Sequence, residues 1–239
     1  METKQILFYL IIAVLVYLIY NFFFKDHTVV DLQGMHNAKV NFPIDSKSLP
    51  SSGGSNDYTF SVWIYVNTWS YKYGKPKIIL RRSTSGSGGG EPIPEIFLDE
   101  NSNDLRIKLA TYSSGNSGAK GNDDECNIKN IPLQKWVHIL MSVNGRTNDV
   151  YIDGKLVKTC MLNGVAMLDK LGKLDLCPDG GFSGYTSKLR YYARAVNPRE
   201  AYEIYKEGFS DSWLGESASK YKLKLAFFSD GSEMNSWSI

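Results

Sequence analysis

The stretch "KWVHILMSVNGRTNDVYIDGKLVKTC", Lys135–Cys160, decides the fold. Val137, Ile139, Met141 and Val143 alternate with Trp136, His138, Leu140 and Ser142, the two-residue period of a strand with one apolar face. "NGRTND" then turns the chain into "VYI", and Asp153-Gly154 is a two-residue hairpin signal leading into "KLVKTC". The stretch predicts a three-stranded meander with a structural role, in which Trp136 packs as a large core residue. Asp153 sits beside Gly154 where a type I′ turn needs positive φ, so its carboxylate has a backbone explanation that requires no chemistry.

The same period extends outward. "YTFSVWIYV" puts Tyr58, Phe60, Val62, Ile64 and Val66 on one face and Thr59, Ser61, Trp63 and Tyr65 on the other. Short apolar runs recur at "KIILRR" (77–82), "IPEIFLD" (93–99), "DLRIKLATY" (104–112), "KLDLC" (173–177), "YTSKLRYYAR" (185–194) and "YKLKLAFF" (221–228). Many short strands with turn signals between them, and almost no helical periodicity, predict an all-β antiparallel sandwich. One helix interrupts them. In "NPREAYEIYKEG", Asn197 is the N-cap, Pro198 the first helical residue, Glu200 the partner in a capping box and Gly208 the stop. That helix, Pro198 to Glu207, should rest Ala201, Ile204 and Tyr205 on the sandwich.

Ahead of the sheet, "ILFYLIIAVLVYLIYNFFF" (Ile6–Phe24) is 19 residues without a charge. As a helix it spans roughly 28 Å, about the thickness of a bilayer's hydrocarbon core. It predicts a single transmembrane helix, a lipid bilayer as partner and a single-pass membrane protein. Lys4 on one side faces Lys25 and Lys39 on the other, a balance too even to orient the span. The expected organisation is an anchor over 1–27, a linker with one possible first strand ("AKVNFPI") over 28–57, and a β domain over 58–239. With 43% hydrophobic and 13% aromatic residues in 239, the chain fills one substantial core and is not globally disordered. Its 27 basic and 25 acidic residues include no basic run that could follow a phosphate backbone, so nucleic acid is not an expected partner.

In order along the chain, "FSVWIYV" with "TWSYKYG", "IPLQKWVHI", "DVYIDGKLV", "GKLDL" and "FSGYTSKLRYYARAVNPREAYEIYKEG" resemble the laminin G-like, concanavalin A-like lectin/glucanase superfamily over about Tyr58 to Gly208. Together with the anchor, "NIPLQKWVHILMSV" and "DVYIDGKLV" are most similar to membrane-anchored members of large DNA viruses. The resemblance implies a jelly-roll sandwich of two antiparallel sheets. It also implies a non-enzymatic structural or attachment module, placed on a virion membrane, whose partner is a protein or a glycan. The alternatives are a carbohydrate-binding lectin for host glycans and a degenerate glycoside hydrolase.

Glycosidases of this superfamily carry acids at alternate positions of one strand. Here only "EIFLDE" compares, with Glu95, Phe97 and Asp99 on one face and Glu100 on the other. The spacing departs from the family's E-x-D-x-x-E, and the acids adjoin a turn where they are expected anyway, so no catalytic residue is assigned. His138, the one histidine inside the expected domain, reads as a packed strand residue. Neither a C-x-x-C nor an H-x-x-x-H pair offers a zinc site.

Three features remain as candidates. Trp69, Tyr71 and Tyr73 recur at strand spacing and would make an aromatic platform for a sugar, or pack an edge. Asp123, Asp124 and Glu125 lie in "SSGNSGAKGNDDE", where the resemblance implies a rim loop that could hold calcium, while the composition alone describes a solvated loop. No other cofactor is expected. Cys126 and Cys160 flank the meander, and a bridge between them would tie the long loop to the sheet edge and leave Cys177 free; three reduced, buried thiols are an equal reading. The connections 83–92 and 113–134 should share one end of the sandwich.

Overall fold

The computed structural model describes residues 9–17, 29–50, 54–83, 92–112, 120–210, 224–229 and 232–238. Helix α1 covers 9–17; the remainder of the expected span Ile6–Phe24 lies outside the described residues. Among the described residues no helix is long and apolar enough to cross a membrane. Strands follow in the order β1 (Val29–Gln33), β2 (His36–Asn37), β3 (Phe42–Ile44), β4 (Tyr58–Thr68), β5 (Lys77–Ser83), β6 (Pro92–Leu98), β7 (Leu105–Tyr112), β8 (Lys120–Ile128), β9 (Trp136–Asn144), β10 (Thr147–Ile152), β11 (Lys155–Met161), β12 (Leu174–Leu176) and β13 (Ser183–Tyr192). Helix α2 (Pro198–Lys206) and a hairpin of β14 (Lys224–Ser229) with β15 (Ser232–Ser238) complete the chain.

Two antiparallel sheets face each other. Sheet A runs β1-β13-β4-β9-β10-β11, with β2 also on β13, and sheet B runs β3-β12-β5-β6-β7-β8. The chain changes sheet between β2 and β3, β3 and β4, β4 and β5, β8 and β9, β11 and β12, and β12 and β13, connectivity consistent with a jelly roll. The alternation read from the sequence sets the core. Tyr58, Phe60, Val62, Ile64 and Val66 of β4 and Val137, Ile139, Met141 and Val143 of β9 all point inward, against Leu80, Ile96, Leu98, Leu105, Ile107 and Leu109 of sheet B.

The outer face of sheet A is covered by α2 and the segments around it. Leu140, Tyr151 and Tyr192 of the sheet pack with Val196, Ala201 and Ile204 in a second buried cluster. Polar residues of this face serve the covering backbone: Ser142 Oγ donates to the Val196 carbonyl at 3.1 Å and accepts from its N–H at 2.8 Å. Ser187 Oγ donates to the Phe209 carbonyl at 2.6 Å. His138 belongs to the same layer, its Nε2 hydrogen-bonded to Ser61 Oγ at 2.8 Å and its ring against Trp63. Asp153 holds φ +49° beside Gly154 at +72°, and its Oδ1 accepts from the His138 N–H at 2.9 Å. The meander is therefore structural, and each of its conspicuous residues has a packing or backbone task.

The caps of α2 follow the sequence with one change. The Asn197 side chain accepts from the Glu200 N–H, Pro198 opens the helix and Gly208 leaves it at φ +71°. The Glu200 carboxylate, expected to turn back to the cap, instead pairs with Arg194.

Three further differences have physical reasons. The connection 113–134 is not one long loop, because β8 occupies Lys120–Ile128 and pairs with β7, Cys126 opposite Ile107 and Ile128 opposite Leu105. As an edge strand with a polar outer side, it lacks the apolar density that marks the central strands. The segment 28–57 contributes β1, β2 and β3, paired to β13 and β12. Trp136, expected in the core, lies half-buried on the outer face of sheet A, stacked on Phe209 at 4.6 Å.

Cys126 and Cys160 form a disulfide that ties edge strand β8 of sheet B to edge strand β11 of sheet A across 34 positions, and Cys177 is free and buried. Closing a loop of that size restricts the unfolded chain by roughly 3–4 kcal/mol on the chain-entropy account. A Cys126→Ser/Cys160→Ser double variant should lose that amount in urea unfolding of the oxidised protein, and reduction of the parent protein should reproduce the loss.

Candidate functional site

Among the described residues no helix covers the outer face of sheet B, and its register lines up charge. Arg81 of β5 lies opposite Glu95 of β6, Glu95 opposite Lys108 of β7, and Lys108 opposite Glu125 of β8. Plus and minus thus alternate across four strands in one row, the arrangement that cross-strand pairing favours. Arg81 Nε donates to Glu95 Oε1 at 2.7 Å, and the Lys108 ammonium sits 5.1 Å from the ring centre of Phe97 in the next row. Arg106 bridges Asp99 at 2.8 Å and Glu125 at 2.9 Å. Burial works against the Asp99 charge, but the hydrogen bond from Ser102 and the Arg106 guanidinium outweigh it and hold the carboxyl below its usual range.

The β5 end of this row meets two loops. After Cys177, the turn Pro178–Gly180 brings Asp179 Oδ2 to Arg81 at 2.9 Å. The β4–β5 connection carries the aromatic candidates: the Tyr71 hydroxyl donates to the Gly180 carbonyl at 3.1 Å, and Lys72 Nζ donates to the Asp179 carbonyl at 2.8 Å. Lys72, Cys177 and Asp179 all have positive φ (+53°, +53°, +56°) without being glycine. Such strained backbone is held only where surroundings over-determine it, and it concentrates at binding sites.

Trp69, Tyr71 and Tyr73 do not form the platform that their spacing suggested. Strand β4 ends at Thr68, so the three lie in a turn rather than on one strand face. Trp69 is half-buried under the Lys77 ammonium, 4.1 Å from its ring centre, and only Tyr73, 67% exposed, stands fully in solvent. Burial, with Lys72 beside it and Asp99 opposing, pushes the Lys77 pKa down.

Asp123, Asp124 and Glu125 lie on β8, not in a rim loop. Successive strand residues point to opposite faces, which separates them: Asp124 accepts from the Asn163 N–H at 2.9 Å while Glu125 pairs with Arg106. Among the described residues, no three His, Cys, Asp or Glu side chains gather as metal ligands.

Sequence reasoning passed over Arg81, Asp179 and Lys72. The local signals were the "RR" closing "KIILRR" and the "PDGG" turn, both present in the sequence but uninformative without register.

The family described as the concanavalin A-like lectin/glucanases superfamily matches residues 37–201. The chain belongs to that superfamily. No curated protein matches it. Among solved structures it is similar to the botulinum neurotoxin serotype D ligand binding domain in complex with N-acetylneuraminic acid, at 11% identity and TM-score 0.53, over 74% of this chain and 45% of that one. The receptor binding domain of the botulinum neurotoxin C/D mosaic serotype gives 12% identity and TM-score 0.52, over 75% and 42%. The chain thus spans less than half the length of these structures, and at such identity the likeness is one of fold.

Proposed function

We propose that this superfamily member is a non-enzymatic, lectin-like attachment module that takes a glycan on the outer face of sheet B. The carrying observation is the union, through contacts of 2.7–3.1 Å, of the Arg81–Glu95 end of the charge row with the Tyr71–Tyr73 and Pro178–Gly180 loops. Planar charged groups hydrogen-bond sugar hydroxyls or a sugar carboxylate, and an exposed tyrosine stacks on a sugar face. N-acetylneuraminic acid, present with the serotype D domain, is accordingly one probe among neutral and acidic sugars. A hydrolytic reading is disfavoured because Glu95 and Asp99 are each bound by a guanidinium, and Asp99 is held ionised, the wrong state for a general acid.

The test is a glycan array read with the parent protein and with Tyr73→Ala. Tyr73 is exposed, so the substitution should leave stability within about 0.5 kcal/mol and weaken the best glycan about three- to tenfold. Equal binding by both proteins would remove the face from consideration.

The module is carried on a membrane, on the resemblance a virion membrane, by Ile6–Phe24. In support, Tyr9, Leu10, Ile11, Ile12, Val14, Leu15, Val16 and Tyr17 of α1 are all exposed, an all-round apolar helix that water does not favour. The full-length chain should stay in the membrane pellet through alkaline carbonate; recovery in the supernatant would count against the anchor.

A further inference from the structure

We propose that the sandwich core encloses a binding site for a small inorganic monoanion, a halide, held by Arg82 and Tyr58. Arg82 follows Leu80 by two residues on β5, so its side chain takes the core side of the sheet, and it is 1% exposed. Its guanidinium lies 5.5 Å from the ring centre of Tyr191 and hydrogen-bonds the Tyr191 hydroxyl, while its Nε and Nη1 have no partner among the described residues. Tyr58, 0% exposed, packs with Phe60, which packs with Tyr191, and among the described residues its hydroxyl is also without a partner.

A guanidinium is always charged, and a buried charge without a counter-charge is strongly unfavourable. Burial pushes both the Tyr58 and Tyr191 phenols up, so neither supplies the negative charge as a phenolate. The unmet groups are two N–H donors and an O–H donor. That is the coordination a halide accepts, and the near-complete burial of every contributor limits the occupant to something small. A water molecule would take the hydrogen bonds and leave the charge unbalanced.

The test uses the full-length chain in a non-ionic detergent, with gluconate exchanged for chloride at constant ionic strength. The Tm should rise by about 5 °C as chloride passes from far below to well above its Kd. Arg82→Met, which replaces the charge by an apolar chain of similar length, should fold and show no chloride response. Crystals grown in bromide should carry an anomalous peak beside Arg82 Nε and Nη1, a reading that stands even if Arg82→Met fails to fold. A Tm indifferent to chloride, a response that Arg82→Met retains, or a bromide crystal without that peak each overturns the proposal.

Discussion

Acidification from about pH 6.5 to about pH 3 should destabilise the fold by on the order of 5 kcal/mol through His138 alone. Burial, and secondarily the Arg190 charge, push this imidazole from 6.5 down to about 3 in the folded protein. In the unfolded chain it titrates normally. Between those two values the unfolded state binds a proton that the folded state refuses, so stability is full above the unfolded value and is lost as pH falls toward the folded one. The cause is local. His138 is 0% exposed, its Nδ1 has no partner among the described residues, and its ring is set among Trp63, Tyr205 and the Arg190 charge, which opposes a second proton. Denaturant unfolding across this range should show the slope, and His138→Gln should flatten it while costing stability at neutral pH. A variant with the parent's pH slope would assign the acid sensitivity to other groups.

Trp63→Ala should cost about 3–5 kcal/mol, the range for removing a buried large aromatic. Trp63 is buried on the outer face of sheet A, where it stacks on Tyr205 at 5.5 Å, meets His138 at 5.0 Å and touches Phe209 at 6.1 Å. It is thus the post on which α2 and the segment after it rest. The loss should show in urea unfolding and be accompanied by faster amide exchange in Pro198–Lys206. Trp63→Phe should recover part of it. A cost under about 1 kcal/mol would mean that the helix is held by Leu140, Tyr151 and Tyr192 without the indole.

These residues also show what the sequence made legible. β4 and β9 alternate without a break, so the inward and outward faces could be read directly, and Trp63 and His138 fell on the outward one. The caps of α2 were equally local. β5 behaves differently: a bulge between Ile78 and Leu80 lets Ile79 and Leu80 both enter the core and reverses the phase after them. That reversal turns Arg81 out and Arg82 in, so neither the charge row nor the buried guanidinium follows from counting. Asp179 reaches Arg81 over 98 residues of sequence, a contact set by the pairing of β12 with β5. β8 escaped notice because an edge strand needs apolar residues only where it meets the core, at Cys126 and Ile128. The aromatic triplet misled through its spacing, since the strand it was expected to occupy ends at Thr68.

The most direct test of glycan binding at sheet B is an amide NMR titration of the full-length chain in detergent micelles with acidic and neutral sugars, N-acetylneuraminic acid among them. Binding at the proposed face shifts Trp69–Tyr73, Arg81, Glu95 and Cys177–Gly180, and leaves α2 and its covered face of sheet A unmoved. Shifts confined to other surfaces, or none with any sugar, would contradict it.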